Sequence, residues 1–169
     1  MFREMRRKNQ KLSDAECAKL LAKGTSGVLA LLGDGNYPYA VPLSYVYEKT
    51  DDTEKIYFHS ALTGHKLDAI RKQEKASFCV IAQDMVVPEK YTTYYRSVIA
   101  FGKIRVLDTE QEKQRAAEML AEKYVPTASA ESHSAEIDRF WDALCMLELK
   151  IEHLSGKEAK ELVSGGGAS

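Results

Sequence analysis

A tight turn inside a β-rich stretch constrains this chain more than any other feature. Residues 28–32, VLALL, run into Gly33-Asp34-Gly35-Asn36 and out again into residues 37–48, a run rich in Val, Tyr and other strand formers. Two strands joined this closely are antiparallel, because a parallel pair needs a crossover of a dozen residues or more. Pro38 and Pro42 in the second run cannot donate to a ladder, which predicts an edge strand or a bulge there.

Further period-two patterns follow. In residues 55–60 Ile56 and Phe58 alternate with Tyr57 and His59, and in 77–82 Phe78, Val80 and Ala82 share a face. In 97–107 the sequence places Val98, Ala100, Gly102, Ile104 and Val106 on a buried face, and in 146–152 Leu147, Leu149 and Ile151 alternate with Met146, Glu148, Lys150 and Glu152. A helix is expected over 12–24, with Ser13 and Glu16 as a capping box, Leu12 and Cys17 as a staple, and Gly24 as the stop. Others are expected over 63–72 and over 109–124, the latter capped by Thr109 and Glu112. Residues 125–134 read as a loop, followed by a helical stripe of Ile137, Phe140, Trp141 and Leu144. The expected class is mainly β with flanking helices: a six-stranded antiparallel barrel whose ends or gaps the helices plug. One domain over 1–163 precedes SGGGAS, read as a flexible tail over 164–169.

Composition narrows the partners. Lys and Arg number 24 against 25 Asp and Glu, a formal net charge of −1, so no field draws in nucleic acid or an anionic membrane. Cys17, Cys79 and Cys145 fit neither a disulfide framework nor paired metal-binding knuckles, and reduced core thiols in a cytoplasmic protein are expected. Residues 24–47 hold a single charge, Asp34, but glycines and prolines break the stretch short of the ~18 apolar residues a spanning helix needs. The start, MFREMRRKNQ, is basic without an apolar run after it, so no export signal is expected.

Motifs for NTP hydrolysis, dinucleotide folds, zinc proteases and α/β-hydrolases are missing. His59, His65, His133 and His153 lack ligand spacing, and no metal is expected. Three segments remain. In FHSALTGHK, residues 58–66, a strand ends in small and hydroxyl residues and a helix begins with Lys66 in its first turn. Free amides at a helix start, the hydroxyls of Ser60 and Thr63, an unobstructed Gly64 and the cations of His65 and Lys66 suit a phosphate monoester. The competing reading is a surface helix that Thr63 merely caps. In VPLSYVY, 41–47, a proline within a strand leaves backbone groups to face a planar heterocycle, or else protects an edge from aggregation. In KYTTYYRS, 90–97, Tyr91, Tyr94, Tyr95 and Arg96 either wall an aromatic ligand or make a dimer contact.

Behind a capped helix, the segments Y-P-x-x-V-P-L-S-Y-V-Y, Y-F-H-x-A-x-x-G-H-K-x-D and V-I-x-F-G-K resemble the pyridoxamine 5′-phosphate oxidase-like FMN-binding split-barrel family. The resemblance is greatest to its nitroimidazole-resistance, flavin-nucleotide-binding type. It implies a homodimer of split barrels with FMN in the interface. By position, Ser60, His65 and Lys66 fall at the phosphate, with His59 and Ala61 beside them. Val41, Pro42, Leu43 and Ser44 fall along the flavin ring and ribityl, and Tyr95 and Ser97 approach from the interface. His65 is the candidate catalytic residue, facing substrate; the alternative is a structural or phosphate-directed imidazole. The implied activity is an FMN-dependent oxidoreductase, passing electrons from a reduced nicotinamide, NAD(P)H, to a small aromatic acceptor of the nitroimidazole kind. The alternative is a non-catalytic flavin-binding or flavin-sensing dimer. Oxidases that make pyridoxal phosphate carry Ser-Arg-Lys where this chain has Gly64-His65-Lys66, and a matching arginine cluster near the C-terminus is missing, so a true pyridoxamine phosphate oxidase is not expected.

Overall fold

Ser13 begins the first helix as its spacing predicts. Its hydroxyl accepts the Glu16 N–H at 3.3 Å, and Glu16 Oε2 accepts the Ser13 N–H at 2.8 Å, opening α1 (Asp14–Lys23). These and the following features belong to a computed structural model, which describes residues 2–163. The tail expected over 164–169 lies outside the described residues. Leu12 and Cys17 staple the helix entry and are both buried.

The hairpin forms as expected. β1 (Ser26–Leu32) pairs with β2 (Pro38–Ser44) from Leu32↔Pro38 to Ser26↔Ser44. Its turn places Gly35 and Asn36 at φ values of 61° and 62°, a left-handed conformation that glycine and asparagine adopt most readily. The second β-rich run then breaks at Tyr45. β3 (Val46–Lys49) leaves β2 and pairs instead with β4 (Glu54–Ser60). The remaining strands are β5 (Lys75–Val87), β6 (Thr92–Val106) and β7 (Cys145–Glu158). The helices α2 (His65–Lys72), α3 (Glu110–Tyr124) and α4 (Ala130–Phe140) connect them.

The sheet order is β2-β1-β5-β6-β7-β4-β3, with every neighbouring pair antiparallel. The outermost strands, β2 and β3, are separated in sequence by Tyr45 alone. A sheet whose two edges are joined by one residue must roll until those edges face each other, yet they do not pair. The result is the split barrel, with seven strands where the pattern gave six. A continuous β-type pattern carries no sign that the backbone changes edges partway along it, which is why the sequence reading counted one strand there.

Tyr45 is locked at the crossing. Its hydroxyl donates to the Leu21 carbonyl at 2.7 Å, in the last turn of α1. Its N–H donates to Tyr124 Oη at 2.9 Å, and its carbonyl accepts from Lys123 Nζ at 2.9 Å. Lys123 also donates to the Gly24 carbonyl at 2.5 Å and stands 4.1 Å from the centre of the Tyr45 ring. Burial lowers the Lys123 pKa from the ordinary lysine value. Tyr45→Phe leaves the Leu21 carbonyl without this donor and is expected to cost about 1 kcal/mol, read as a lower denaturant midpoint at unchanged slope.

The core fills the barrel. Phe78 meets Tyr45 and Phe58 edge to face, each at a centroid distance of 4.9 Å. Val98, Ala100 and Ile104 of β6 are buried as their alternation predicted. A buried charge also sits in the sheet. Glu148 on β7 accepts from Lys55 Nζ at 2.8 Å and Arg105 Nε at 2.9 Å. Burial by itself raises its pKa, but those two hydrogen bonds outweigh it and hold the carboxyl below the ordinary value of 4.5. A carboxyl with a depressed folded pKa contributes stability that is complete above its unfolded pKa and lost as pH falls through the folded one. Glu148→Gln is therefore expected to lower stability near neutrality by about 1.5–3 kcal/mol. The gap between the two proteins should begin to close below about pH 4.5, as followed by thermal melts across the acid range.

Three expected boundaries shift. No side chain caps α2, whose N-cap is Gly64 at φ 130°, so Thr63 is not the cap. α4 begins at Ala130, where the Ser129 hydroxyl accepts the Ser132 N–H at 3.2 Å, inside the segment read as loop. The strands expected over 77–82 and 97–107 are longer and take in most of the tyrosine-rich segment: β5 and β6 continue past a bulge between Ile81 and Gln83 as a long two-stranded arm. The arm leaves Ile81, Met85, Val86 and Tyr91 exposed.

Candidate functional site

β4 ends at Ser60, where its partner on β7 is Cys145. Ala61 to Gly64 then turn into α2, and a Cβ built on Gly64 meets nothing within 4 Å, so the approach to the helix start is open. His65 and Lys66 are the first helical residues, and their amides have no intrahelical acceptor. The amides of Leu67 and Asp68 fold back onto the Gly64 carbonyl at 2.9 and 3.2 Å.

Lys66 is half-buried, and burial lowers its pKa, with the Cys145 thiol acting weakly in the opposite sense. Among the described residues no carboxylate pairs with it. Lys72, by contrast, binds Asp34 at 3.0 Å, and Lys55 binds Glu148. A partly desolvated cation without a counter-charge, on the same helix turn as two amides without intrahelical acceptors, is a donor set a phosphate monoester fits.

His65 is tied to the hairpin turn. Its ring stacks on Tyr39 at a centroid distance of 4.2 Å, and Nε2 accepts the Asp34 N–H at 3.3 Å. The Asp34 carboxylate lies 3.7 Å away and is held below its ordinary pKa chiefly by its hydrogen bond and ion pair with Lys72. The imidazole thus fastens the start of α2 to the β1–β2 turn.

β2 borders the same region. Val41 and Leu43 turn inward onto the core, while Pro42 is exposed. What β2 offers outward is its unpaired backbone edge, which approaches β4 across the split. Ser44 and His59 meet in the wall of a cavity of about 850 Å3, closed on its other side by α3 and α4. Of the expected site residues, Ser44 and His59 thus share one wall, and His65 meets β2 through Tyr39. Tyr95 and Ser97 do not join them within one chain. They lie on β6, opposite Asp84 and Ile81 of β5, and Tyr95 carries Lys157 at 5.4 Å from its ring. Cys79 is half-buried with its pKa raised by burial, the state of a core thiol.

The sequence reading missed the helical side of the cavity. Tyr124, His133 and Phe140 line it, and Phe140 is half exposed although it belongs to the apolar helical stripe with Ile137. The stripe was legible, but a stripe alone cannot show which of its members the opposing wall reaches. Among the described residues no group of His, Cys, Asp and Glu could hold a metal ion. No described helix is long and apolar enough to cross a membrane.

Comparison with known proteins agrees with the fold. A protein assigned to 5-nitroimidazole antibiotic resistance, from Bacteroides thetaiotaomicron, is similar in structure with a TM-score of 0.72 at 15% identity, over 88% of this chain and 86% of that one. A FAD and heme binding protein from Mycobacterium smegmatis superposes with a TM-score of 0.65 at 19% identity, over 95% and 82%. A FAD-binding protein from Mesorhizobium loti reaches 25% identity with a TM-score of 0.58, over 89% and 98%. No curated protein matches the chain in sequence. The family model described as pyridoxamine 5′-phosphate oxidase matches residues 13–158 of the 169, and with the split barrel built around that span, the chain belongs to this family.

Proposed function

We propose that the chain binds FMN at the split, with its phosphate at the start of α2, and acts as an oxidoreductase between NAD(P)H and a small aromatic acceptor such as a nitroimidazole. The observation that carries this reading is Lys66, a half-buried cation without a carboxylate partner, placed beside the free amides of α2. The flavins named for the Mycobacterium smegmatis and Mesorhizobium loti proteins support the cofactor class. The resistance assignment of the Bacteroides protein supports the acceptor class.

Bound flavin supplies the exchange of hydride and electrons between donor and acceptor. The chain's own residues bind and orient it. Lys66 and Ser60 hold the phosphate, the open edge of β2 from Val41 to Ser44 faces the ring, and His65 fixes the helix start against the turn. The exposed Ile81, Met85, Val86 and Tyr91 of the β5–β6 arm suit burial against a second copy. In that dimer Tyr95 and Ser97 of one subunit reach the other's flavin. The free cysteines suit a cytoplasmic, reducing compartment.

Titration of the purified chain with FMN, FAD and riboflavin, followed by flavin fluorescence quenching, tests the binding. FMN is expected to bind more tightly than riboflavin, and equal affinity would remove the phosphate site. Anaerobic addition of NADH or NADPH is expected to bleach the bound flavin. Protein that stays yellow is a flavin carrier and not an oxidoreductase.

A further inference from the structure

We infer that the cavity between α3, α4 and the sheet is a second ligand site, and that it takes an uncharged, flat, largely apolar aromatic compound. The inference deepens the proposed function and rests on it, since the cavity shares Ser44 and His59 with the flavin site. Its volume of about 850 Å3 is that of a pocket for a small organic molecule. Leu120 and Ala121 of α3 and Ile137 and Phe140 of α4 supply the apolar wall facing those two polar residues.

Charge sets the class. Glu136 and Arg139 are the charged residues of the lining, and they pair with each other at 3.7 Å at the exposed rim. No counter-charge remains for an ionic ligand, which would lose its hydration without replacement. The contrast with Lys66, whose charge has no partner, separates an anion site from a neutral one on the same chain.

Polarity sets the orientation. His133 commits its Nε2–H to the Val125 carbonyl at 3.1 Å. Ser44 and His59, on the sheet wall, make no side-chain hydrogen bond among the described residues, so a ligand's polar end is drawn toward the flavin side. Phe140 adds an aromatic ring to the lining: it is 50% exposed while its stripe neighbour Ile137 is buried, and the Arg139 guanidinium lies 5.1 Å from its centre. A large aromatic ring in the lining of an apolar cavity offers a flat ligand a contact surface.

The test pairs a neutral probe with its anionic counterpart. N-phenylnaphthylamine is expected to brighten saturably on the full-length chain, and its sulfonated analogue anilinonaphthalene sulfonate to bind at least about tenfold more weakly. Ala121→Trp fills the cavity from α3, and Ala135→Trp fills it from an exposed position on α4. Both are expected to abolish the brightening and leave the FMN titration unchanged. Absent brightening, equal affinity for the sulfonate, or brightening undiminished in both variants overturns the inference. So does a change of elution mass in both variants, which would make the cavity a subunit contact. Failure of the flavin reading is seen separately, as absence of FMN binding in a protein that still binds the neutral dye.

Discussion

Lys66→Ala lowers the affinity for FMN by roughly ten- to a hundredfold and leaves that for riboflavin nearly unchanged. A charge-assisted contact to phosphate is worth about 1.5–3 kcal/mol, and riboflavin has no phosphate to lose it. The side chain has no ion-pair partner among the described residues, so its removal orphans no carboxylate and relieves a desolvated ammonium. Alanine is also the best helix former at this second helical position. Fold stability is thus expected to hold while the ligand effect is large, a separation that circular dichroism melts and paired fluorescence titrations read together. Equal loss for FMN and riboflavin would place the phosphate elsewhere.

Gly102→Ala is the counterpart on the fold side, with an expected loss of roughly 3 kcal/mol and a melting temperature lower by on the order of 10 °C. Gly102 lies on β6 at the register shift between Phe101 and Gly102, where β7 crosses closely. A Cβ there would stand 2.9 Å from the Lys150 carbonyl carbon and nearer still to its oxygen. Both atoms are backbone, so no side chain can swing aside, and the strand pair itself has to part. Gly156 gives an instructive contrast. Its Cβ would meet the Cys17 thiol, which has rotamers to explore, and the Leu12 Cβ at 2.9 Å, but no backbone atom of a paired strand, and a milder loss is expected there. Similar midpoints for Gly102→Ala and the native chain would show that the β6–β7 contact is softer than its geometry.

How far the sequence reached follows from which signals are local. The capping box of Ser13 and Glu16, the Gly35-Asn36 turn and the edge prolines of β2 depend on neighbours within a few residues, and each stands where its pattern placed it. The cation at the start of α2 was equally legible, as hydroxyl, glycine and lysine lie within one turn of chain. Thr63 was a plausible cap by spacing, but Gly64 takes a backbone conformation at φ 130° that gives the helix start to glycine. The β5–β6 arm escaped the alternation rule because neither of its faces meets the core there, so Gln83 and Asp84 looked like the end of a strand.

By itself the sequence determined the class of fold, the antiparallel hairpin and the residues with the chemistry for a phosphate. Those are consequences of periodicity, turn stereochemistry and side-chain charge, all written over short spans. Tertiary structure alone decided that Tyr45 carries the backbone from one sheet edge to the other and that β2 and β4 face each other across a split. It also decided that α3 and α4 close a neutral cavity against Ser44 and His59. Each of these brings together groups far apart in the chain, and only the rolling of the sheet fixes which of them meet.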